Sequence, residues 1–403
     1  MQRQLDLHTG RPVWSAYRAP RVPVRRLIRD IKTEVVVIGM GISGAMIAEA
    51  LSAASHDVVL IDRRGPGHGS TAANTALVQH EIDMPLSLLS RRIGREKAER
   101  GCRRSKLAVA NLHARIADLG IRCNLVLRPS LYLDGDVLSP SDMRKEGAAR
   151  AAAGLRSLYL PPAALKERFG IEGRSALLSH GNMALDPRKL TAGLLLRARA
   201  NGARLYAPAE ATAIETDVDR VRVATEGGPV VLAQHAVLAT GYELMDVVPR
   251  AHHQIVSTYA IATRPQPRSI WPEKALIWEA SDPYLYARTT PDGRVICGGE
   301  DEDFQSEDRR DSLIGAKSRR ISDKLLKLFP QADFTPEFAW AGAFGTTSTG
   351  LPFIGRVPRN PRLFAVMGYG GNGITYSQIA SELIATALAG GEDSDTDLFA
   401  LPG

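Results

Sequence analysis

The stretch from residue 33 to 62, TEVVVIGMGISGAMIAEALSAASHDVVLID, constrains the fold of this chain more than any other. Val35, Val36, Val37 and Ile38 form a short run of β-branched residues, as expected of a parallel strand buried on both faces. Gly39-Met40-Gly41-Ile42-Ser43-Gly44 then matches G-x-G-x-x-G. In that pattern the first glycine makes a tight turn, the second lets a pyrophosphate approach the backbone, and the third lets helix and strand pack closely. Ile42, Ala45, Met46, Ala50 and Ala53 share one helical face, so the helix is expected to aim its N-terminal amides and dipole at a diphosphate. A second apolar strand, 58–61, ends in Asp62, where a carboxylate would bond ribose hydroxyls, and Arg63 beside it is a further candidate contact. An ordinary βαβ crossover with a glycine turn is the competing interpretation. The register of strand, turn, helix, strand and acid favours an adenine-dinucleotide site.

At 403 residues the chain is long for a single core, and two domains are expected. The net charge of +7 fits anionic cofactors or a surface partner as well as plain arginine usage. Cys102, Cys123 and Cys297 are odd in number and lack CxxC spacing, so neither a disulfide framework nor a metal site is expected. No run reaches transmembrane length, and the arginine-rich first thirty residues lack the apolar core of a signal peptide. A cytoplasmic protein is expected. Residues 1–32 read as an extended arm draped over the body, with Trp14 and Tyr17 as anchors; a nucleic-acid arm is the less favoured alternative.

Beyond the opening unit, 69–76 (GSTAANTA) is small and hydroxyl-rich, suited to lying flat against a planar ligand. Residues 84–119 carry helical periodicity with Gly94 and Gly101 as breaks. A strand is expected over 125–133, and helices over 142–153, 163–169 and 186–200, the last opened by Asp186-Pro187. Strand-like runs at 204–206, 211–215, 221–224 and 230–238 form a meander ending in Ala239-Thr240-Gly241. Aromatic strands occupy 255–300. A strand at 363–367 then runs into Gly368-Tyr369-Gly370-Gly371-Asn372-Gly373 and a helix over 374–388, a second glycine-rich junction with free amides.

With both junctions and the A-T-G turn in order, residues 33–390 resemble the D-amino-acid-oxidase-type flavoproteins, most closely the glycine and sarcosine oxidase and gamma-glutamylputrescine oxidoreductase-like branch. The resemblance implies a mixed α/β (α+β) fold. It comprises a Rossmann-like FAD domain assembled from discontinuous segments (33–85, 185–250, 335–395) and a substrate domain with an antiparallel sheet (86–184, 251–334), flanked by the arm and a tail at 396–403. It implies FAD contacts at Gly39, Gly41, Ile42, Ser43, Gly44, Asp62 and Arg63. In the flavin loop it implies Ser70, Thr71, Asn74, Thr75 and Ala76. At the adenine end and the turn it implies Ala211, Thr240 and Gly241, and at the C-terminal signature Gly350, Gly370, Gly371, Asn372, Gly373, Ile374 and Thr375.

Departures from the family pattern fall on the chemistry. Where glycine and D-amino-acid oxidases place an arginine that clamps a substrate carboxylate, this chain has Phe344, and a ring cannot replace a guanidinium fork. The cysteine that carries covalent flavin in sarcosine oxidase corresponds to Ala343, so non-covalent FAD is expected, and its oxygen-assisting lysine corresponds to Thr375. Tyr284, Tyr286 and Glu300 fall at positions resembling substrate contacts, and His80 and Glu81 lie just past the flavin loop; core packing competes for the tyrosines, a solvated acidic turn for Glu300 and a surface role for His80 and Glu81. The resemblance implies oxidation of an amine C–N bond by hydride transfer from the carbon bearing the amine to flavin N5, followed by imine hydrolysis, with oxygen or another acceptor taking the electrons. A D-amino-acid or N-methyl-amino-acid substrate, with Arg288 as carboxylate contact, is the alternative. A flavin-containing RNA-modification module is the alternative of another class.

Overall fold

The computed structural model describes residues 5–266 and 270–403. Two sheets organise them. The eight-stranded sheet runs Phe353–Val357, Asn360–Met367, Val230–Leu238, Ile31–Ile38, Val58–Ile61, Arg204–Tyr206. Its meander, Ala211–Thr216 and Val221–Thr225, hangs antiparallel from Val230–Leu238. Ile31–Ile38 is central, with parallel partners on both sides. Val35, Val36 and Val37 are completely buried because helices cover one face and the meander the other, which is what an unbroken β-branched run requires. Helices Ile42–Ala53, Pro187–Ala200, Gly373–Leu388 and Arg95–Asp118 pack together on the helical face.

The ten-stranded sheet runs His8–Gly10, Pro336–Thr347, His253–Thr263, Val295–Glu302, Leu285–Thr289, Leu276–Glu279, Val126–Leu133, Ala176–Ala184, Leu77–Val78, with Ser157–Leu160 pairing on Ala176–Ala184 off this path. Helix Ile314–Leu328 covers one face through Ile321 and Leu325 over Trp271, Phe329 and Tyr259.

Several expectations shift. Pro336–Thr347, expected within the cofactor-binding segments, pairs along nearly its whole length with His253–Thr263 in the ten-stranded sheet. Arg95–Asp118, expected with the substrate segments, packs instead on the helices of the first sheet. Ala176–Ala184 carries no clear strand signal, since Ser179, His180, Gly181 and Asn182 break its apolar run, yet it pairs with three strands. Gly94 does end a helix, at φ +88°, but Gly101 lies inside a 24-residue helix. There a Cβ would meet both methyls of Leu351 at 3.4 Å, so its role is packing.

The arm is stitched down. His8–Gly10 joins the sheet edge, and the buried Trp14 donates from Nε1 to the Asn74 carbonyl at 2.6 Å. Tyr17 Oη donates to Asp292 at 2.8 Å. All three cysteines are buried free thiols. Among the described residues no helix is long and apolar enough to cross a membrane.

Candidate active site

The glycine turn has the geometry its pattern requires. Gly39 sits at φ +117°, and a Cβ there would lie 2.3 Å from the Ala239 carbonyl oxygen. A Cβ on Gly44 would lie 1.9 Å from the Gly39 oxygen, so helix and strand touch through backbone alone. A Cβ on Gly41 would project toward Thr71 Oγ1, 3.2 Å away, into the space before the helix. The Ile42 amide donates to that same Oγ1 at 3.0 Å. Asp62 accepts from the Met40, Arg64 and Gly65 amides at 2.6–2.7 Å, which uses three of its roughly four acceptor positions. Ser43 and Ser377 hydroxyls meet at 2.8 Å, tying this helix to the C-terminal one.

From this turn a cavity runs between the two sheets, with about 1850 Å³ of space not filled by protein atoms, its open mouth included. Gly39, Gly41, Ile42, Ser43, Asp62, Arg63, Ala211, Thr240 and Gly241 line one end. Ser70, Thr71, Asn74 and Thr75 line the middle, and Gly370, Gly371, Asn372 and Gly373 the far wall. Trp14 and Trp340 hold the loop through the Asn74 and Ala73 carbonyls. Arg63 and Arg64 both pair with Glu243.

Five expected contacts stand behind the wall. Gly44 packs the helix. Ala76, at φ +56°, gives its carbonyl to buried Arg288 at 2.7 Å. Gly350 faces Leu89 and Met84. Ile374 is buried in the core, and Thr375 donates to the Gln79 carbonyl at 2.8 Å. A helix turns about 100° per residue, so only the start of Gly373–Leu388 can face the cavity.

The other end is aromatic. Tyr284, Tyr286, Trp278, Phe344, Tyr242 and Tyr369 line it, with Gln79 and Asp83. The Tyr284 and Tyr286 rings lie 5.6 Å apart. Tyr286 crosses its neighbouring strand because residue 298 is glycine: a Cβ there would sit 2.2 Å from the phenol oxygen. Its hydroxyl meets Thr75 and Thr258.

Glu300 is not part of this end. Ladder register slips between Ser257 and Tyr259, and Gly299 and Glu300 both take positive φ. This bulge re-aims the side chains. Glu300 turns to helix Ile314–Leu328, bonding Lys324 at 2.6 Å and Lys317 at 3.3 Å, and those charges hold its carboxyl below the usual range against desolvation. Asp301 instead meets Tyr284 and Thr258, and desolvation raises its carboxyl to about 6. His80 is also displaced. Leu77 and Gln79 face the cavity, and period-2 alternation turns Val78 and His80 away. His80 lines a small separate cavity with Glu81, Cys102 and Arg150.

Asp83 has no motif to announce it. It is open to the cavity and accepts from the Gly371 amide at 2.6 Å, and partial desolvation by the surrounding protein raises its carboxyl. Arg288 is buried and donates to the Ala76 and Leu185 carbonyls, outside the cavity lining. Arg63 and Arg64, at the glycine-turn end, are the only basic residues that line the cavity among the described residues.

The cradle fits a long ligand with a diphosphate near one end and a planar ring system at the other. The model for FAD dependent oxidoreductases of the DAO family matches residues 34–387. Gamma-glutamylputrescine oxidoreductase of Escherichia coli (strain K12) is 26% identical over 385 residues, covering 91% of this chain and 86% of that protein. The tRNA 5-methylaminomethyl-2-thiouridine biosynthesis bifunctional protein MnmC of Cupriavidus necator is 24% identical, covering 96% of this chain and 61% of that protein. Among solved structures, glycine oxidase from Geobacillus kaustophilus superposes with a TM-score of 0.74 at 20% identity, covering 92% of this chain and 98% of that one. The glycine turn, the second glycine junction and the cavity that both line give such a cofactor a place in this fold, and the chain belongs to the DAO family of FAD-dependent oxidoreductases.

Proposed function

We propose that the protein oxidises the C–N bond of an amine, polyamine-like or secondary, rather than of an amino acid. One observation carries the reading. Among the described residues, the aromatic end of the cavity holds no lysine or arginine, and Phe344 and Asp83 stand there instead. A bound carboxylate would be left without its charge-assisted donors and beside a like charge. The amino-acid alternative loses its donor as well, since Arg288 does not line the cavity and its Nη1 donates to the Ala76 and Leu185 carbonyls.

Bound FAD supplies a two-electron acceptor: the carbon bearing a neutral amine gives up a hydride, and water hydrolyses the resulting iminium to a carbonyl and free amine. The chain's part is positional. Tyr284, Tyr286 and Trp278 shape an apolar slot that orients the C–H bond and excludes water. Amides at the start of Gly373–Leu388 present partial positive charge to the cofactor. Gly39, Gly41, Ile42, Ser43, Asp62, Thr71 and Asn74 hold its other parts without covalent attachment.

Anaerobic titration of the yellow protein with amines and with D- and N-methyl amino acids tests this. Loss of flavin absorbance with amines is expected. Reduction by amino acids alone would overturn it. Oxygen uptake against dye reduction then assigns the acceptor. An RNA-modifying role has the MnmC similarity in its favour, and copurifying RNA that is released by salt and needed for activity would support it.

A further inference from the structure

Charge along the cavity is unevenly compensated. Four carboxylates line it. Asp62 is taken by three amides, and Glu210 and Glu243 pair with Arg63 and Arg64, all at the glycine-turn end. Asp83 lies at the aromatic end. Its carboxylate meets one backbone amide, and no lysine, arginine or histidine among the described residues forms an ion pair with it. Its side chain is open to the cavity, and a carboxylate without a counter-ion gains from a cation that enters beside it.

The segment that carries Asp83 is held from two sides. The Gln79 and Glu81 carbonyls accept from Thr375 and Asn372 at 2.8 Å each. The Leu86 and Ser87 amides donate to Glu146 at 2.9 Å, and Glu146 is itself paired with buried Arg150 at 2.8 Å. Asp83 is therefore presented on a fixed turn, facing rings that attract cations through their π faces. Asp301, behind the Tyr284 hydroxyl and with Oδ1 unpartnered, adds negative potential from the same side.

We propose that Asp83 determines specificity by binding a second positive charge on the substrate, so that the preferred amines are diamines with one nitrogen reacting and the other held at Asp83. This rests on the amine reading above.

The test uses holoenzyme and two non-oxidisable probes of equal chain length, a bis-quaternary and a mono-quaternary ammonium alkane, in calorimetry. A quaternary nitrogen has no lone pair to drive hydride loss, so binding is read without chemistry. The bis-quaternary probe is expected to bind about tenfold tighter or more, from coulombic attraction alone, since a quaternary nitrogen has no N–H to donate. Asp83→Asn should abolish that preference, and Asp83→Glu, which keeps the charge, should retain part of it. Equal binding of the two probes to the native protein overturns the proposal, whether or not Asp83→Asn folds, and so does a preference that survives in Asp83→Asn. In anaerobic rapid mixing, monoamines and diamines of equal length reducing the flavin with equal apparent Kd would sink this inference alone. Failure of every amine would sink the amine reading and this inference with it.

Discussion

Gly44→Ala tests the closest contact in the cofactor cradle. The glycine has ordinary helical backbone, so the substitution adds no conformational strain and only a methyl group. That methyl would lie 1.9 Å from the Gly39 oxygen, whereas real Cβ contacts stay above 3.0 Å, so helix and strand must separate by about 1.1 Å. Neither side has room to move. Gly39 is pinned by its hydrogen bond to Ile61, and the helix is wedged through fully buried Ala45, Ile47, Ala48 and Leu51. Overpacking of this kind costs about 1–3 kcal/mol, a fall of a few degrees in Tm. Because the displaced backbone is the surface that meets the diphosphate, FAD affinity should drop about tenfold or more, equivalent to about 1.4 kcal/mol. Thermal unfolding and fluorescence titration of apoprotein with FAD measure the two effects. Gly315→Ala is the control: it lies in helix Ile314–Leu328 with nothing within 4 Å of its Cβ, and should gain up to about 1 kcal/mol from helix propensity. A Gly44→Ala protein with native Tm and native FAD affinity would refute the cradle geometry.

Two further outcomes follow from the bulge in Val295–Glu302. Glu300→Gln should leave turnover intact while lowering stability by about 1–3 kcal/mol, because the carboxylate serves Lys317 and Lys324 rather than the cavity; a large loss of kcat in a protein with native Tm would contradict this. Asp301 has its carboxyl raised to about 6 by desolvation, so the folded state holds its proton longer than the unfolded chain, and this contribution to stability is present below about pH 4 and lost as pH rises through 6. Asp301→Asn should therefore gain stability relative to the native protein as pH goes from 4 to 7, by up to about 3 kcal/mol less the hydrogen bonds forgone. Parallel Tm profiles across that range would show that the group titrates normally.

The sequence by itself determined the parts that depend on local backbone. The first and third glycines of the turn each exclude a side chain by sterics alone, and the second keeps open the space before the helix. The A-T-G turn, the Asn74 loop and the Gly370–Gly373 junction were legible for the same reason: where backbone must approach a ligand, the residue type is dictated locally. Substrate-side residues obey no such rule. His80 was displaced from the cavity by the alternation of one short extended segment, and Glu300 by a bulge that turned it toward Lys317 and Lys324, and neither the facing of that segment nor the ladder register is written in spacing. Asp83 sits in a turn whose position depends on Glu146, Asn372 and Thr375, residues about 60 to 290 positions away. Tertiary structure alone decided which carboxylate faces the cavity without a counter-ion, because compensation of charge is a property of everything that packs around a group and not of the residues beside it in the chain.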